Sequence, residues 1–237
     1  MTEKVFYQDS YQKTHQSQVV AVLDDGIVLE STIFYPMGGG QPGDTGVLSF
    51  GDDDYQVTDT RFAEDRNTIV HKLDPEDLQR FQAGVSVGMV LDWERRHRHM
   101  RMHTSMHLMC HLITAQATGG SIGETESRID FDLQGQVVDK GYLTTEMNRL
   151  INRQLPVSIG SITDEELAQN PGLVRTMSVQ PPTGQGSIRT ITIVDTDYQP
   201  CGGTHVQNTA EIGEVIVTKI KNKGKQNKRI SIALANP

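Results

Sequence analysis

Two short segments, about a hundred residues apart, place the strongest constraint on how this chain folds. The first reads HTSMH at residues 103–107, and the second reads CGGTH at residues 201–205. Each places two potential metal ligands four residues apart, and together they offer three imidazoles and one thiolate. This donor set suits zinc, which takes nitrogen and sulfur ligands in tetrahedral sites. The alternative is that the histidines lie on a helix surface and the cysteine is a small buried apolar residue.

A row of histidines leaves the ligands of the first segment undecided. Residues 93–117 show helical spacing and contain no proline, so side chains four apart share one helix face. Four histidines follow this spacing: His99, His103, His107 and His111. Each adjacent pair could chelate a metal, and the pattern does not choose among the three pairs. The outer two either face solvent or orient a ligand by holding its free ring nitrogen.

The charge balance excludes one class of function. Lys and Arg number 22 against 30 Asp and Glu, a net charge of −8, so the chain is not a globally basic nucleic-acid binder. Two local basic stretches, residues 95–101 and 219–229, are either solvated surfaces or phosphate contacts. Two cysteines are too few for a disulfide framework, and no apolar run approaches the ~18 residues of a membrane span. We expect a soluble, cytoplasmic protein.

The first 92 residues are rich in predicted strands. Residues 18–29 form two β-branched runs around Asp24-Asp25-Gly26, which predicts a hairpin because glycine tolerates the positive φ of a tight turn. Further strands are predicted at residues 32–35, 46–50, 55–60, 68–72 and 85–91, with a helical turn within 74–81. This regular spacing favours a small β-barrel or sandwich.

A glycine-rich loop, YPMGGGQPGDTG at residues 35–46, interrupts these strands. Five glycines in the nine positions 38–46 allow the backbone to approach a ligand closely, and Gln41, Asp44 and Thr45 could supply directed hydrogen bonds. The loop matches neither the phosphate-binding loop of nucleotide hydrolases nor the dinucleotide fingerprint. A plain structural turn is the alternative to a binding loop.

Residues 93–237 predict a mixture of helices and strands. The elements after the long helix are a break at 119–123, a strand at 127–133, an amphipathic helix at 140–154, a strand at 157–162, a short helix at 165–169, a loop at 181–186, a strand at 188–194 and a closing strand pair at 214–220 and 228–234. The second ligand segment therefore lies in the turn that precedes the closing strand pair.

Four segments agree, in order and approximate spacing, with one known family. YPMGGGQPGDTG, HTSMH, CGGTHV and TAEIGEV resemble the editing region of alanyl-tRNA synthetases and, more closely, the free-standing AlaX proteins. SRIDFD and INRQLPV are also similar to that family, so the resemblance covers nearly the whole chain. One departure is HTSMH, where the family commonly has HTATH or similar; both ligands are kept. The order of segments leads us to expect a medium-length trans-editing protein.

The resemblance implies a fold, a metal and an activity. The fold is α+β, with a small N-terminal β-barrel in residues 1–92 and a C-terminal α+β editing domain in residues 93–237, shared with alanyl- and threonyl-tRNA synthetases. The implied cofactor is one Zn²⁺ per chain, held by the positions matching His103, His107, Cys201 and His205. The implied activity is hydrolysis of tRNA(Ala) mischarged with serine, and often with glycine.

Roles for the loop residues follow from this resemblance and from ester chemistry. We expect Gln41 to act in catalysis, with the backbone amides of Gly38, Gly39 and Gly40 orienting the water or the oxyanion. Thr32 matches a family position that can hydrogen-bond the serine hydroxyl, a contact that alanine cannot make. Asp44 is a further expected substrate-binding residue. Four protein ligands would close a tetrahedral zinc site, so we expect zinc to position the substrate.

The expected partner is the acceptor stem of tRNA(Ala), held by its phosphates at the two basic stretches. No membrane and no obligate protein partner are expected. Two other functions remain open at this point. One is a zinc-dependent hydrolase of small esters or amides, and the other is a non-catalytic tRNA-binding module with structural zinc.

Overall fold

The computed structural model describes residues 2–175, 186–224 and 227–236. The chain divides into two compact units, Met1–His97 and Arg98–Pro237. Most of the predicted loop at residues 181–186, and Lys225 in the lysine-rich stretch, lie outside the described residues. Within those ranges, the helices are all too short or too polar to cross a bilayer.

The first unit is built on a seven-stranded sheet. Over residues 2–97 its strands are β1 (Glu3–Lys4), β2 (Thr14–Leu23), β3 (Gly26–Leu29), β4 (Ser31–Thr32), β5 (Gly46–Phe50), β6 (Asp53–Val57), β7 (Asp59–Phe62), β8 (Ile69–Lys72) and β9 (Ser86–Leu91). The sheet has the order β6-β5-β9-β2-β3-β8-β7, and β1 pairs with β4 separately. Two short helices, α1 (Val5–Gln8) and α2 (Pro75–Leu78), complete the unit.

Strand β2 serves both halves of this sheet. Its first half pairs with β9 and its second half with β3, and the pairing with β3 shifts register between Val19 and Ala21. The predicted hairpin is confirmed, because β2 and β3 pair antiparallel across the Asp-Gly turn. A bulge of this kind bends a strand, and the sheet here folds around a core that includes Leu29, Leu48 and Met89.

The sheet does not close into the predicted β-barrel. In residues 2–97 the outermost strands, β6 and β7, are not paired with each other, although they are consecutive in the chain. Only Thr58 separates them, which is too short a connection for a hairpin. The Thr58 N–H instead donates to the carbonyl of Lys72 (3.0 Å), and β7 pairs with β8. The predicted strand at 55–60 is therefore split, and the sheet stays open.

Helix α3 (Trp93–Leu112) begins in the first unit and continues into the second. The Asp92 carboxylate accepts the Arg95 N–H (3.2 Å) and so caps the helix start. The helix ends before the predicted residue 117, because Ala117 already begins a strand. Residues 102–110 are all buried, and these include the first ligand segment.

The second unit combines two sheets with most of α3 and two further helices. Its described strands are β10 (Ala117–Ser121), β11 (Ser127–Asp132), β12 (Val157–Ile162), β13 (Ile188–Ile193), β14 (Asp197–Pro200), β15 (Val215–Asn222) and β16 (Asn227–Leu234). One sheet has the order β10-β11-β16-β15, and the other has the order β12-β13-β14. The helices are α4 (Lys140–Ile151), tied to β15 by a bond from Asn148 to the Val215 carbonyl (2.8 Å), and α5 (Asp164–Gln169).

The predicted mixture of helices and strands is confirmed, and further details differ from the prediction. The break at residues 119–123 is wrong, because Gly119 and Gly120 lie in β10 and pair with β11. The strand predicted at 32–35 ends at Thr32. Strand β14, with the sequence DYQP, is absent from the prediction, because it has no apolar alternation and owes its shape to pairing with β13.

Candidate metal centre

Four side chains from the two ligand segments come together in the second unit. Their potential ligand atoms all lie within 4.8 Å of one another: His103, His107, Cys201 and His205. The Cys201 Sγ is 3.3 Å from His205 Nε2 and 3.6 Å from His103 Nε2. The histidine row therefore contributes its central pair to the cluster, whereas His111 is exposed.

Regular structure positions both halves of the cluster. His103 and His107 lie one turn apart on α3, which places them on the same helix face. Cys201 directly follows β14, and its N–H extends the pairing with β13 by donating to the carbonyl of Arg189 (3.1 Å). The Gly203 N–H then donates to the Cys201 Sγ (3.4 Å), so the turn folds back over the sulfur.

A carboxylate orients His107 from behind. The Nδ1 of His107 lies 2.8 Å from Asp197 Oδ2, and Gln199 Nε2 donates to the same oxygen at 2.8 Å. A ring nitrogen this close to a carboxylate carries a proton, which directs the Nε2 lone pair of the neutral ring away from Asp197. Such pairing is common behind metal-bound histidines, because it fixes the tautomer and raises the basicity of the ligand.

Thr104 has the same effect on His205. Its Oγ1 donates to the carbonyl of Met100 (2.9 Å) and lies 3.1 Å from His205 Nδ1. Because the single hydroxyl proton points to Met100, the Nδ1 of His205 must be the donor in the second bond. The Nε2 that faces Cys201 then carries a lone pair, as a metal ligand requires.

The charges of the cluster favour a thiolate. Burial raises the pKa of Cys201, but the neighbouring His103 and His205 outweigh burial and hold that pKa well below its usual value. Burial lowers the pKa of His205, and so does His103. Burial also lowers the pKa of His107, yet Asp197 and Cys201 together raise it to about 10. Before any metal binds, an imidazolium at His107 therefore balances the buried anions.

These residues fit a divalent cation. The Asp197 carboxylate is buried and the Cys201 sulfur is enclosed by imidazoles, and buried anions require a positive partner. Metal ligands must be deprotonated, so a bound ion would replace the proton of His107 and take up its role as counter-charge. Three imidazole nitrogens and one thiolate match the preferences of zinc. The cluster can thus hold a metal ion.

The glycine-rich loop belongs to the first unit, where it forms a tight turn. Gly38 and Gln41 exchange backbone hydrogen bonds of 3.0 and 2.9 Å, and Gly39 and Gly40 between them have φ angles of +58° and +84°. Positive φ at both central residues is typical of a type I′ turn and favours glycine. The Gly38 N–H is engaged within this turn, and Gln41 is buried. The expected roles of these residues in hydrolysis stay predictions.

Asp44, an expected substrate-binding residue, is held by a buried arginine. Its carboxylate accepts from Arg96 Nε (2.9 and 3.1 Å) and Nη2, and from the Tyr35 N–H (2.6 Å). Arg96 also donates to the carbonyls of Ser10 (3.0 Å) and Ile33 (2.7 Å). The side chains of Arg96 and Asp44 are 0% and 1% exposed. This ion pair fixes the glycine-rich loop to the first turn of α3.

Thr32 is also fully buried. Its Oγ1 lies 2.7 Å from His71 Nε2 and accepts the Phe34 N–H (3.0 Å). The His71 Nδ1 lies 3.2 Å from the Ile27 carbonyl, so Nδ1 carries the proton and Thr32 donates to Nε2. Burial lowers the pKa of His71 to about 4, which keeps the ring neutral at pH 7. The Thr32 hydroxyl proton is therefore used inside the first unit, and a contact with substrate serine stays a prediction.

The arginines of residues 95–101 are engaged in structure. Arg95 and Arg101 each donate to a backbone carbonyl of their own unit, at 2.6 and 2.9 Å, and Arg98 pairs with Glu124 at 3.1 Å. Arg96 lies in the buried ion pair already described. These bonds compete with phosphate binding, so this stretch is a weaker candidate for tRNA contacts than the lysine-rich stretch.

Comparisons with known proteins agree with the division into two units. The family model "tRNA synthetases class II (A)" matches residues 2–95, and "Threonyl and Alanyl tRNA synthetase second additional domain" matches residues 188–231. An alanyl-tRNA editing protein AlaX-M of Methanosarcina barkeri is 35% identical over 243 residues and covers 100% of both chains. The chain belongs to the AlaX-M family of alanyl-tRNA editing proteins.

Two further relatives are also similar to this AlaX-M family member over nearly its whole length. The AlaX-M protein of Saccharolobus solfataricus is 34% identical over 97% of this chain and 98% of its own length. The AlaX-L protein of Pyrococcus horikoshii is 34% identical over 97% of this chain, which corresponds to 57% of the longer relative. The similarity therefore spans both units of the chain.

In this AlaX-M family member, the residues that orient the cluster have a weaker signal in the sequence than its ligands. Asp197, Gln199 and Thr104 are absent from the sequence predictions. One pattern does point to two of them: Asp197, Gln199 and Cys201 are two residues apart, the spacing of side chains on one face of a strand. Recognising it requires knowing that β14 is a strand, which its composition does not predict.

Proposed function

We propose that this chain is a trans-editing hydrolase that removes serine, and also glycine, from mischarged tRNA(Ala). The chain belongs to a family named for alanyl-tRNA editing, so it is an enzyme of the aminoacyl-tRNA deacylase class. The observation that supports the proposal most is the convergence of His103, His107, Cys201 and His205, within a chain whose whole length matches editing proteins. A tRNA substrate also favours a cytoplasmic location.

The cofactor in this proposal is one Zn²⁺ per chain, held by those four side chains. When bound, zinc would supply a Lewis-acidic centre for holding the terminal adenosine or the amino acid. Asp197 and Thr104 hold the Nδ1 protons of His107 and His205, which leaves Nε2 as the nitrogen that would bind the metal. Four protein donors fill a tetrahedral shell, so zinc can hold the substrate only if one donor is bound loosely or the ion takes a fifth ligand.

The glycine-rich loop supplies the other proposed functional residues. Gln41 would orient the attacking water or the oxyanion, together with the backbone N–H groups of Gly39 and Gly40. Thr32 would favour serine over alanine. The ion pair of Arg96 and Asp44 supports these roles by holding the loop in one shape. For Gln41, we expect Gln41→Ala to slow deacylation while leaving zinc content unchanged.

The lysine-rich hairpin of β15 and β16 is the proposed contact for the tRNA acceptor stem. Lys219 and Lys221 alternate on the edge strand β15, Lys223 follows its end, and all three are exposed. The pKa of Lys221 is lowered by its neighbour Lys219, as expected where ammonium groups crowd together. Arg229, which lies opposite Lys221, is already paired with Asp130 (2.7 Å). The three lysines therefore carry the positive charge that phosphates would meet.

The deciding experiment offers labelled seryl-, glycyl- and alanyl-tRNA(Ala) to the chain, with and without a chelator. We expect release of serine and glycine, retention of alanine, and loss of release after chelation. Cys201→Ala should behave like the chelated chain, and His111→Ala, which alters an exposed histidine of the same row, should behave like wild type. Equal release of alanine, or binding of seryl-tRNA(Ala) without release, would contradict the proposal. Turnover of small esters without tRNA would favour the general hydrolase instead.

The hairpin is tested separately by salt dependence. Replacing Lys219, Lys221 and Lys223 with Gln should weaken tRNA binding and reduce the slope of log affinity against log salt by about 0.7–0.9 for each phosphate that the variant no longer neutralises. Lys140→Gln, at an exposed position on α4, is the matched control. An unchanged slope would show that the hairpin is only a solvated surface.

A further inference from the structure

One side chain holds the second ligand segment in shape without being a ligand itself. Arg189 Nη1 donates to the carbonyl of Cys201 (2.7 Å) and to the carbonyl of Gly203 (2.9 Å). The backbone carbonyl of Arg189 also accepts the Cys201 N–H (3.1 Å). Strand β13 thus contacts the CGGTH turn through both its backbone and a guanidinium.

These bonds fix the direction of the peptide groups around the sulfur. The carbonyls of Cys201 and Gly203 both accept from Arg189 Nη1, so the turn is closed where it faces β13. The Gly203 N–H then points to the Cys201 Sγ (3.4 Å). The glycines at 202 and 203 have no side chains that could hold the peptide planes by packing, so the guanidinium supplies the restraint.

We propose that Arg189 is a positioning residue that keeps the CGGTH turn in its metal-binding shape. It acts by presenting Cys201 and His205 together to the ion shared with the helix ligands. This inference rests on the metal site of the proposed function. It adds a residue that lies outside both ligand segments and is not one of the four candidate ligands.

The physical basis is pre-organisation. A turn that is already closed loses little conformational entropy when the ion binds, whereas a free turn loses it at that moment and binds more weakly. Groups that orient metal ligands typically change metal affinity by 10–100-fold when removed. We expect an effect of that size here, because Arg189 holds the turn that carries two of the four ligands.

The test measures zinc affinity directly, by competition between the chain and a chromophoric chelator. Arg189→Met keeps the length and apolar stem of the side chain but removes both hydrogen bonds, and should weaken zinc binding by about 10–100-fold. Arg189→Lys keeps a charged nitrogen that can donate to two carbonyls but lacks the rigid planar fork, and should recover part of the affinity. Arg149→Met, which removes an exposed arginine paired with Glu146 on α4, is the matched control and should bind zinc like wild type.

A second readout separates positioning from general structural damage. In the cobalt-substituted chain, the absorption band of the thiolate–metal bond reports on Cys201 alone. Arg189→Met should need more cobalt to reach its full band, while the unfolding midpoint of the metal-free chain should match that of Arg189→Lys. If Arg189→Met does not fold, Arg189→Gln replaces it: the shorter amide cannot reach both carbonyls, so the variant should fold and bind zinc about 10-fold more weakly than wild type, and wild-type affinity would overturn the inference.

Three results would overturn the inference. Equal zinc affinity in Arg189→Met and wild type would show that the hydrogen bonds of Arg189 to the CGGTH turn do not contribute to metal binding. Equal loss in Arg189→Met and Arg189→Lys would show that hydrogen bonding to the turn is not the cause. If wild type itself bound no zinc, the metal site of the proposed function would fail, and this inference with it.

Discussion

The two units of this chain bury polar clusters of opposite kinds. In the first unit, Arg96 and Asp44 bring opposite charges together, and their remaining hydrogen-bonding atoms are used by backbone groups. In the second unit, four side chains bring their potential ligand atoms together: His103, His107, Cys201 and His205. Each of these atoms can donate an electron pair once it is deprotonated. Both clusters are buried, but the first is balanced by a permanent guanidinium, whereas the second balances its anions only with a proton on His107, which a bound metal ion would displace.

This difference separates a buried polar group that is satisfied by itself from one whose ligand atoms can take up a cation. A buried ion pair with complete hydrogen bonding is self-sufficient, and removing one partner leaves an uncompensated charge. A group of convergent lone pairs is complete only when a cation is added. The sequence makes both Asp44 and His103 candidates for functional roles. The contacts of Asp44 are complete within the first unit, whereas the ligand atoms around His103 converge as a metal site requires. The substrate-binding role expected of Asp44 stays a prediction.

The largest expected effect removes one ligand from the convergent cluster. His107→Ala should weaken zinc binding more than any change described below, because the protein then supplies only three donors and water must complete the tetrahedral set. His111→Ala, one helical turn further along α3 and exposed, should retain zinc with wild-type affinity. Zinc titration of the two purified variants makes the comparison. Equal affinities would erase the distinction between the inner and outer histidines.

The next effect breaks the self-sufficient cluster. Arg96→Met should destabilise the first unit by about 3–5 kcal/mol, because the Asp44 carboxylate is left buried without its partner. Denaturant unfolding followed by the fluorescence of Trp93, the single tryptophan of the chain, measures this change. The double variant Arg96→Met with Asp44→Asn should recover part of the loss. If the single variant unfolded like wild type, the ion pair would not be the support of the loop.

A smaller change tests the group behind a ligand. Asp197→Asn should weaken zinc binding by about 10–100-fold without abolishing it, because the amide neither fixes the His107 tautomer as firmly nor balances charge. Competition with a chelator measures the shift. Glu165→Gln, at an exposed position on α5, is the control. An Asp197→Asn variant with undiminished affinity would mean that the carboxylate does not orient the ligand.

The smallest effect concerns the neutral histidine of the first unit. Burial lowers the pKa of His71 from 6.5 to about 4, so the unfolded chain takes up a proton before the folded chain does. Stability is therefore fully present above pH 6.5 and falls as the pH decreases toward 4. Between pH 7 and pH 5, protonation of His71 in the unfolded chain should lower the free energy of unfolding by about 2 kcal/mol. The measurement is the free energy of unfolding as a function of pH, for wild type and for His71→Gln. The difference between the two curves gives the contribution of His71, and identical curves would refute the assignment.

Much of this molecule could be predicted from local patterns. The Asp-Gly hairpin, the long helix and the closing strand pair follow from turn residues and periodicity, and the ligand pairs follow from their spacing of four. The family resemblance chose the central histidines, and the structure brings those same two into the cluster.

What could not be predicted depends on tertiary contacts. Closure of the sheet fails at Thr58, because a one-residue link cannot turn β6 into β7. The burial of Thr32 and Asp44 depends on His71 and Arg96, which are 39 and 52 residues away in the chain. Likewise, β14 is held in strand conformation by its pairing with β13. Asp197, whose carboxylate orients His107, lies on β14 and could not be placed without that pairing.

The most direct test of the convergent cluster is the zinc content of the purified chain after equilibration with zinc and removal of the excess. Elemental analysis should find one zinc per chain in wild type and well below one in Cys201→Ala, which keeps only three of the four donors. A wild-type chain that retains no zinc, or a Cys201→Ala chain that retains one, would contradict the assignment of these four side chains as a metal site.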